Sequence, residues 1–202
     1  MPPENTNSVL VTNGALAAVF DPWGTTENWL KLLRDENLTL KNIFCTHGHY
    51  DHVSAIPGLI ADTGAKWFMH PDDIPVIEWS NEILPRIGAK KIDLKKIPPC
   101  PIAPGAMEIL PGLSAEAIHT PGHSAGSIAF YFPNEKLLIA GDTIFQDGYG
   151  RTDLPTGSES HMRESLKKIR NMNLADDTTV IHGHGPDTTI GYLKEKNPFF
   201  CL

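Results

Sequence analysis

The sequence predicts a layered α/β fold, with helices packed on sheets rather than an all-helical or all-strand domain. Three observations carry this. Short apolar runs alternate with segments of helical period along most of the 202 residues. Hairpin-like strand pairs occur in both halves of the chain. Hydrophobic residues make up 41%, ordinary for a globular protein and too many for a disordered one. At roughly 150 residues per domain, the chain reads as one domain over residues 1–202.

The elements follow in order. "SVLVT" (8–12) and "ALAAVFD" (15–21) are apolar runs joined by Asn-Gly, a hairpin signal. "TTENWLKLLRDENL" (25–38) is helical, capped by Thr25 or Thr26, with Trp29, Leu32 and Leu33 on one face. "KNIFCT" (41–46) reads as a buried strand. "VSAIPGLIADTG" (53–64) is a short helix, with Pro57 in its first turn and Gly64 past its end. "AKWFMH" (65–70) is a strand and "PDDIPVIEWSNEIL" (71–84) a helix. Residues 86–112, rich in Pro, Gly and Lys, read as short strands within a long excursion. Three strands follow at 113–120, 126–133 and 136–142, then a helix at 159–172, a strand at 178–183 and a last helix at 188–197.

Composition excludes several classes. The net charge of −7 argues against a domain built to neutralise phosphates, so no nucleic-acid partner is expected. No apolar run approaches the ~18 residues that span a bilayer. "MPPENTNSV" lacks the charged-then-apolar pattern of a signal peptide. Cys45, Cys100 and Cys201 are odd in number and none are at Cys-x-x-Cys spacing, so neither a disulfide framework nor a cysteine zinc site is indicated. Cys45 reads as a buried thiol. A cytoplasmic protein with reduced thiols is expected.

"FCTHGHYDHVSA" (44–55) crowds His47, His49, Asp51 and His52 into one turn. Side chains alternate along extended backbone, so His47 and His49 point the same way, with Gly48 leaving room between them. Asp51 and His52 fall where the chain enters a helix and can aim at a second point nearby. One loop can therefore serve two adjacent metal ions. Catalytic metal sites combine His and carboxylate ligands and keep a position open for water. Three more such residues follow β-like runs beside glycines: His123 in "HTPGHSAGS", Asp142 in "LLIAGDTIF" and His184 in "VIHGHGPDTT".

Together these segments resemble the metallo-β-lactamase superfamily of binuclear hydrolases. His-x-His-x-Asp-His is present as His47, His49, Asp51 and His52, and Thr-Pro-Gly-His, Gly-Asp-Thr and Gly-His-Gly-Pro follow in the family's order. The resemblance runs from about residue 8 to about residue 198. It implies an αββα sandwich of two β-sheets flanked by helices, with the site at one edge. It also implies that His47, His49 and His123 bind one metal, that Asp51, His52 and His184 bind a second, and that Asp142 bridges them.

Asp142 narrows the resemblance, because family members that open β-lactam rings usually lack a carboxylate there. "GRTDLP" (150–155) resembles short bacterial hydrolases of the glyoxalase II type, the hydroxyacylglutathione hydrolases. The implied activity is cleavage of small acyl thioesters, foremost hydroxyacylglutathione, by a hydroxide shared between two divalent ions. Asp51 and Asp142 would orient that hydroxide. Zinc is the first choice of ion, with iron and manganese suited to the same ligands. The alternative is a mononuclear Fe(II) enzyme resembling glutathione persulfide dioxygenases, with iron on His47, His123 and Asp142.

Typical glyoxalase II enzymes add a C-terminal helical segment with basic residues that hold glutathione. This chain reaches "NPFFCL" soon after His184, so no such segment is expected and recognition falls to loops. Arg151 is the candidate to meet a substrate carboxylate; the alternative is an ion pair with Asp153 inside the loop. Asp21 is a candidate to orient a metal-binding histidine from behind, or simply a turn residue before Pro22. His182 reads as a supporting or packing residue, His119 as a strand-end hydrogen-bonding group and His70 as a helix cap.

Overall fold

A computed structural model describes residues 5–200. It contains two sheets. Strands β1 (Val9–Asn13), β2 (Leu16–Phe20), β3 (Thr39–Phe44), β4 (Lys66–Met69) and β5 (Cys100–Pro101) form the first, in that order. The hairpin β1–β2 is antiparallel, and β2 to β5 are parallel. The second sheet comprises β6 (Gly105–Leu110), β7 (Leu113–His119), β8 (Ile128–Phe132), β9 (Leu137–Gly141), β10 (Thr179–His182) and β11 (Thr188–Thr189), in the order β11-β10-β9-β8-β7-β6. Only the β9–β10 pair is parallel.

Three apolar layers hold these sheets together. Phe20, Phe44, Phe130 and Phe132 interdigitate between the sheets with Ile109, Ile128 and Ile139. Behind the first sheet, Ile43, Met69 and Trp67 pack on helices α1 (Thr26–Asp35), α3 (Ile56–Thr63) and α4 (Ile74–Ile83) through Trp29, Leu33, Ile56, Leu59 and Ile77. Behind the second, Leu138, Ala140 and Val180 pack on α5 (Glu159–Asn171) and α6 (Ile190–Lys196) through Met162, Leu166, Ile169 and Leu193. The architecture is the expected αββα sandwich.

Local chemistry sets the helix ends. Thr25 accepts the N–H of Asn28 to start α1, and Ser158 accepts that of His161 to start α5. Gly64 closes α3 at φ 68°, a conformation that costs a side chain. Four readings shift. Leu32 is exposed, because the buried stripe of α1 runs through Trp29 and Leu33 and leaves Leu32 at its margin. The helix expected at 71–84 begins as a 3-10 turn over Pro71–Asp73. Thr188 and Thr189 add an edge strand to β10 before α6 starts. A separate helix, α2 (Tyr50–Val53), starts within the histidine motif.

Strand register positions the site. Phe20 pairs with Phe44, and Phe44 with Phe68, so β2, β3 and β4 end side by side and release Asp21, the loop 45–49 and His70 at one edge. In the second sheet His182 pairs with Gly141, so β9 and β10 end together and release Asp142 and His184. The Ile128 N–H donates to the Thr46 carbonyl at 2.8 Å, joining the two sheets at this edge.

Candidate metal centre

The seven histidines and aspartates singled out in the sequence meet at that edge. Ligand atoms of His47, His49 and His123 lie within 4.8 Å of one another, as do those of Asp51, His52 and His184. Asp142 stands between the two sets. Its Oδ2 is 3.4 Å from His123 Nε2 and 3.5 Å from His184 Nε2, and its Oδ1 is 3.5 Å from His52 Nε2. A side chain at Gly183 would collide with the Asp142 carboxylate, so glycine alone lets the chain pass this close.

Hydrogen bonds from outside aim the imidazoles. The Thr46 hydroxyl donates to Asp21 Oδ2 at 2.6 Å, which leaves it able only to accept from His47 Nδ1, 3.0 Å away. The His47 proton therefore sits on Nδ1 and its Nε2 lone pair faces inward. His52 Nδ1 lies 3.0 Å from the same Asp21 carboxylate. His123 Nδ1 donates to the Arg151 carbonyl at 2.7 Å, and His184 Nδ1 to the Asn5 carbonyl at 3.4 Å. Four imidazoles thus present Nε2 to the centre. His49 enters by its other nitrogen, with Nδ1 2.8 Å from His123 Nε2.

The centre fits cations. His47 Nε2, His52 Nε2 and Asp142 Oδ1 are buried with no hydrogen-bond partner. An unsatisfied buried polar atom costs about 1–3 kcal/mol, and divalent ions held by the two sets would satisfy these atoms. The donor set, imidazole with carboxylate, suits zinc, iron and manganese.

The two sets differ electrostatically in the ion-free protein. Burial, reinforced by the neighbouring histidines, pushes His47 well below the usual imidazole range and His49 down to about 3. Burial opposes charge on His52 too, but Asp51, Asp21 and Asp142 override it and raise the group to about 9. For His184 the two carboxylates Asp142 and Asp51 likewise override burial and raise it to about 11. Asp51 and Asp142 are themselves held below the usual carboxylate range, burial being outweighed mainly by His52 and His184.

Other expectations resolve individually. Asp21 accepts both the backbone N–H and the hydroxyl of Thr46 and faces His52, so it supports both sets as well as turning the chain at φ 49°. His182 donates Nδ1–H to the Ile144 carbonyl at 2.6 Å and joins none of the ligand groups. His70 caps the turn at Asp72, and His119 bonds the Ala125 carbonyl. The two rings stack at 4.4 Å. Arg151 and Asp153 form a two-pronged ion pair, both bonds 2.7 Å, on the exposed face of their loop. Cys45 is a buried free thiol and Cys100 a half-buried one; Cys201 lies outside the described residues.

Three residues of the centre's frame were not legible as such in the sequence. Asp73, fully buried, accepts the Gly48 N–H at 2.7 Å, the Gly126 N–H at 2.6 Å and the Ser124 hydroxyl at 2.8 Å. It ties the loop of His47 and His49 to the loop of His123. Ser80 completes the grip by donating to the Gly48 carbonyl at 2.8 Å. Thr6, buried near the start of the chain, donates to Asp51 Oδ2 at 3.1 Å. Only the Asp73-x-x-Val-Ile spacing of a helix start hinted at Asp73, and nothing local hinted at Ser80 or Thr6.

The centre opens into a cavity of about 590 Å³. Tyr50, Trp79, Ile83, Phe145 and Leu154 give it an apolar wall, and Arg151 stands among them. The Trp79 ring meets the His49 ring edge to face at 5.4 Å. A cleft of this kind suits a small molecule, its apolar part against the wall and its polar part at the cluster of histidines and aspartates.

Sandwich, ligand motif and strand-end placement together define a metallo-hydrolase class, and comparison agrees. Residues 1–184 match the model of the metallo-beta-lactamase superfamily, and the chain belongs to that superfamily. Among its relatives is a hydroxyacylglutathione hydrolase, GloC, of Haemophilus influenzae, 36% identical over 91% of this chain and 86% of that protein. Two solved structures are similar throughout. One, TTHA1623 in a di-iron-bound form, superposes with a TM-score of 0.87 at 32% identity, covering 98% of this chain and 97% of the other. The other, the BLEG-1 B3 metallo-beta-lactamase, gives 0.85 at 31% identity, covering 100% and 97%. No helix among the described residues is long and apolar enough to cross a membrane.

Proposed function

We propose that the protein is a two-metal hydrolase of small acyl thioesters, hydroxyacylglutathione foremost. The observation that carries this is the pair of adjoining ligand sets with one carboxylate, Asp142, reaching both. His47, His49 and His123 would hold one divalent ion, zinc first among the candidates, and Asp51, His52 and His184 the other. Bound there, such ions supply Lewis acidity, making water acidic enough to attack near neutral pH and polarising a carbonyl oxygen.

The chain's own residues do the rest. Asp142 and Asp51, kept ionised by the histidines around them, accept hydrogen bonds from the attacking water and fix its direction. The cleft holds the thioester with its carbonyl toward these carboxylates and its apolar part against Trp79, Tyr50 and Phe145. Water adds to the carbonyl carbon, the carbon–sulfur bond breaks, and a carboxylic acid and a thiol leave. A thiolate is a good leaving group, so no separate acid is required. The Arg151 fork is already on Asp153, so a glutathione carboxylate has to compete for it.

The relationship to GloC supports the glutathione thioester among acyl thioesters. Zinc-loaded and iron-loaded protein should release thiol from S-lactoylglutathione and carry close to two ions per chain. Absence of thiol release across a panel of acyl thioesters overturns the reading. One iron per chain together with oxygen uptake on glutathione persulfide would establish the dioxygenase alternative instead.

A further inference from the structure

We infer that residues Asn5–Asn7 form a clasp on one ligand set only, and that Thr6 is a positioning residue for Asp51. The inference rests on the two-metal reading above and concerns what gives the second ion its site.

The segment is pinned on both sides of His184. The Asn7 N–H donates to the Gly183 carbonyl at 2.7 Å. Its side-chain amide donates to the His182 carbonyl at 3.0 Å and the Gly185 carbonyl at 2.7 Å. Thr6 pairs with His184 as an antiparallel bridge. Residues far apart in the chain are thereby laid side by side, and the side chain of Thr6 is carried inward to the centre.

Two consequences follow for the set Asp51, His52 and His184. The Asn5 carbonyl receives His184 Nδ1–H, leaving Nε2 3.2 Å from Asp51 Oδ2. The Thr6 hydroxyl donates to that same Oδ2 at 3.1 Å. A hydroxyl in this place takes one lone pair of the oxygen and fixes the rotation of the carboxylate plane. The opposite set draws its outside support elsewhere, from Thr46 and the Arg151 carbonyl. A fault in the clasp should therefore loosen one ion and leave the other. Partners behind metal ligands commonly change affinity 10–100-fold.

The test compares Thr6→Val, which keeps shape and removes the hydroxyl, with Thr6→Ser, which keeps the hydroxyl. Metal-free protein is titrated with Zn²⁺ against a chromophoric chelator, and its thermal melting is followed by circular dichroism. Thr6→Val should weaken one of the two zinc affinities by about tenfold or more, the one that Asp51→Asn abolishes. The other affinity and the melting of the metal-free protein should stay put, and Thr6→Ser should behave as wild type. Two unchanged affinities in Thr6→Val overturn the inference alone, as does equal weakening of both. A wild type that takes up one ion or none overturns the two-metal reading and the inference with it.

Discussion

The carboxylate of Asp21 grips Thr46 twice, taking its backbone N–H at 2.7 Å and its hydroxyl at 2.6 Å. Through Thr46 it orients His47, and directly, at 3.0 Å, it faces His52. One side chain thus aims an imidazole of each ligand set. Asp21→Asn keeps the shape and tolerates the φ of 49°, which asparagine adopts more readily than most residues. It puts a donor where two donors already point. Both zinc affinities should fall about 10–100-fold in a chelator competition. Wild-type affinities would remove Asp21 from any role at the centre.

Asp73 should matter for the frame more than for the ions. Asp73→Ala strands two buried N–H groups, those of Gly48 and Gly126, and frees the Ser124 hydroxyl. The loss should be about 3 kcal/mol, a fall in Tm of about 10 °C for a chain of this size. Thermal melting of the metal-free protein reads it directly, before any ion is added. A shift under about 2 °C would show that these loops hold their shape without it.

Trp79 walls the cleft and touches His49 without joining a ligand set. Trp79→Ala should raise KM for an acyl thioester about tenfold, the loss of about 1–2 kcal/mol of contact. The metal content should remain that of the wild type. A fall in kcat with KM unchanged would place the ring's effect on the chemistry instead of on binding.

Acid should strip the two ligand sets in order. An ion entering the second set must displace protons from His52 and His184, raised to about 9 and about 11. Below those values each displaced proton weakens binding about tenfold per pH unit. His47 and His49 are shifted the other way and stay neutral through mild acid, so protons do not compete for them there. Lowering the pH from 8 to 6 should release one ion and retain one, measured as metal content after dialysis. Simultaneous loss of both would contradict the charge difference between the sets.

Much of the site was legible because it is local. His47, His49, Asp51 and His52 announce themselves by spacing within one turn, and His123, Asp142 and His184 by the glycines and β-like runs around them. Asp73 was hidden because Pro-Asp-Asp before a helix looks like an ordinary cap, and its carboxylate serves loops far away in sequence. Arg151 drew notice for its guanidinium. Its backbone carbonyl is what holds His123, while the side chain pairs with Asp153. Sequence spacing carries no signal for a carbonyl contact.

By itself the sequence determined the alternation of helix and strand, since hydrophobic period is a property of neighbours. It likewise determined which side chains could ligate metal. Tertiary structure alone decided how these residues share one centre. Pairing Phe20 with Phe44 and Gly141 with His182 brings four strand ends to one edge, and Thr6 reaches Asp51 because residues 5–7 lie against residues 182–185. Register between distant segments depends on packing summed over the whole core, and no stretch of the chain contains that sum.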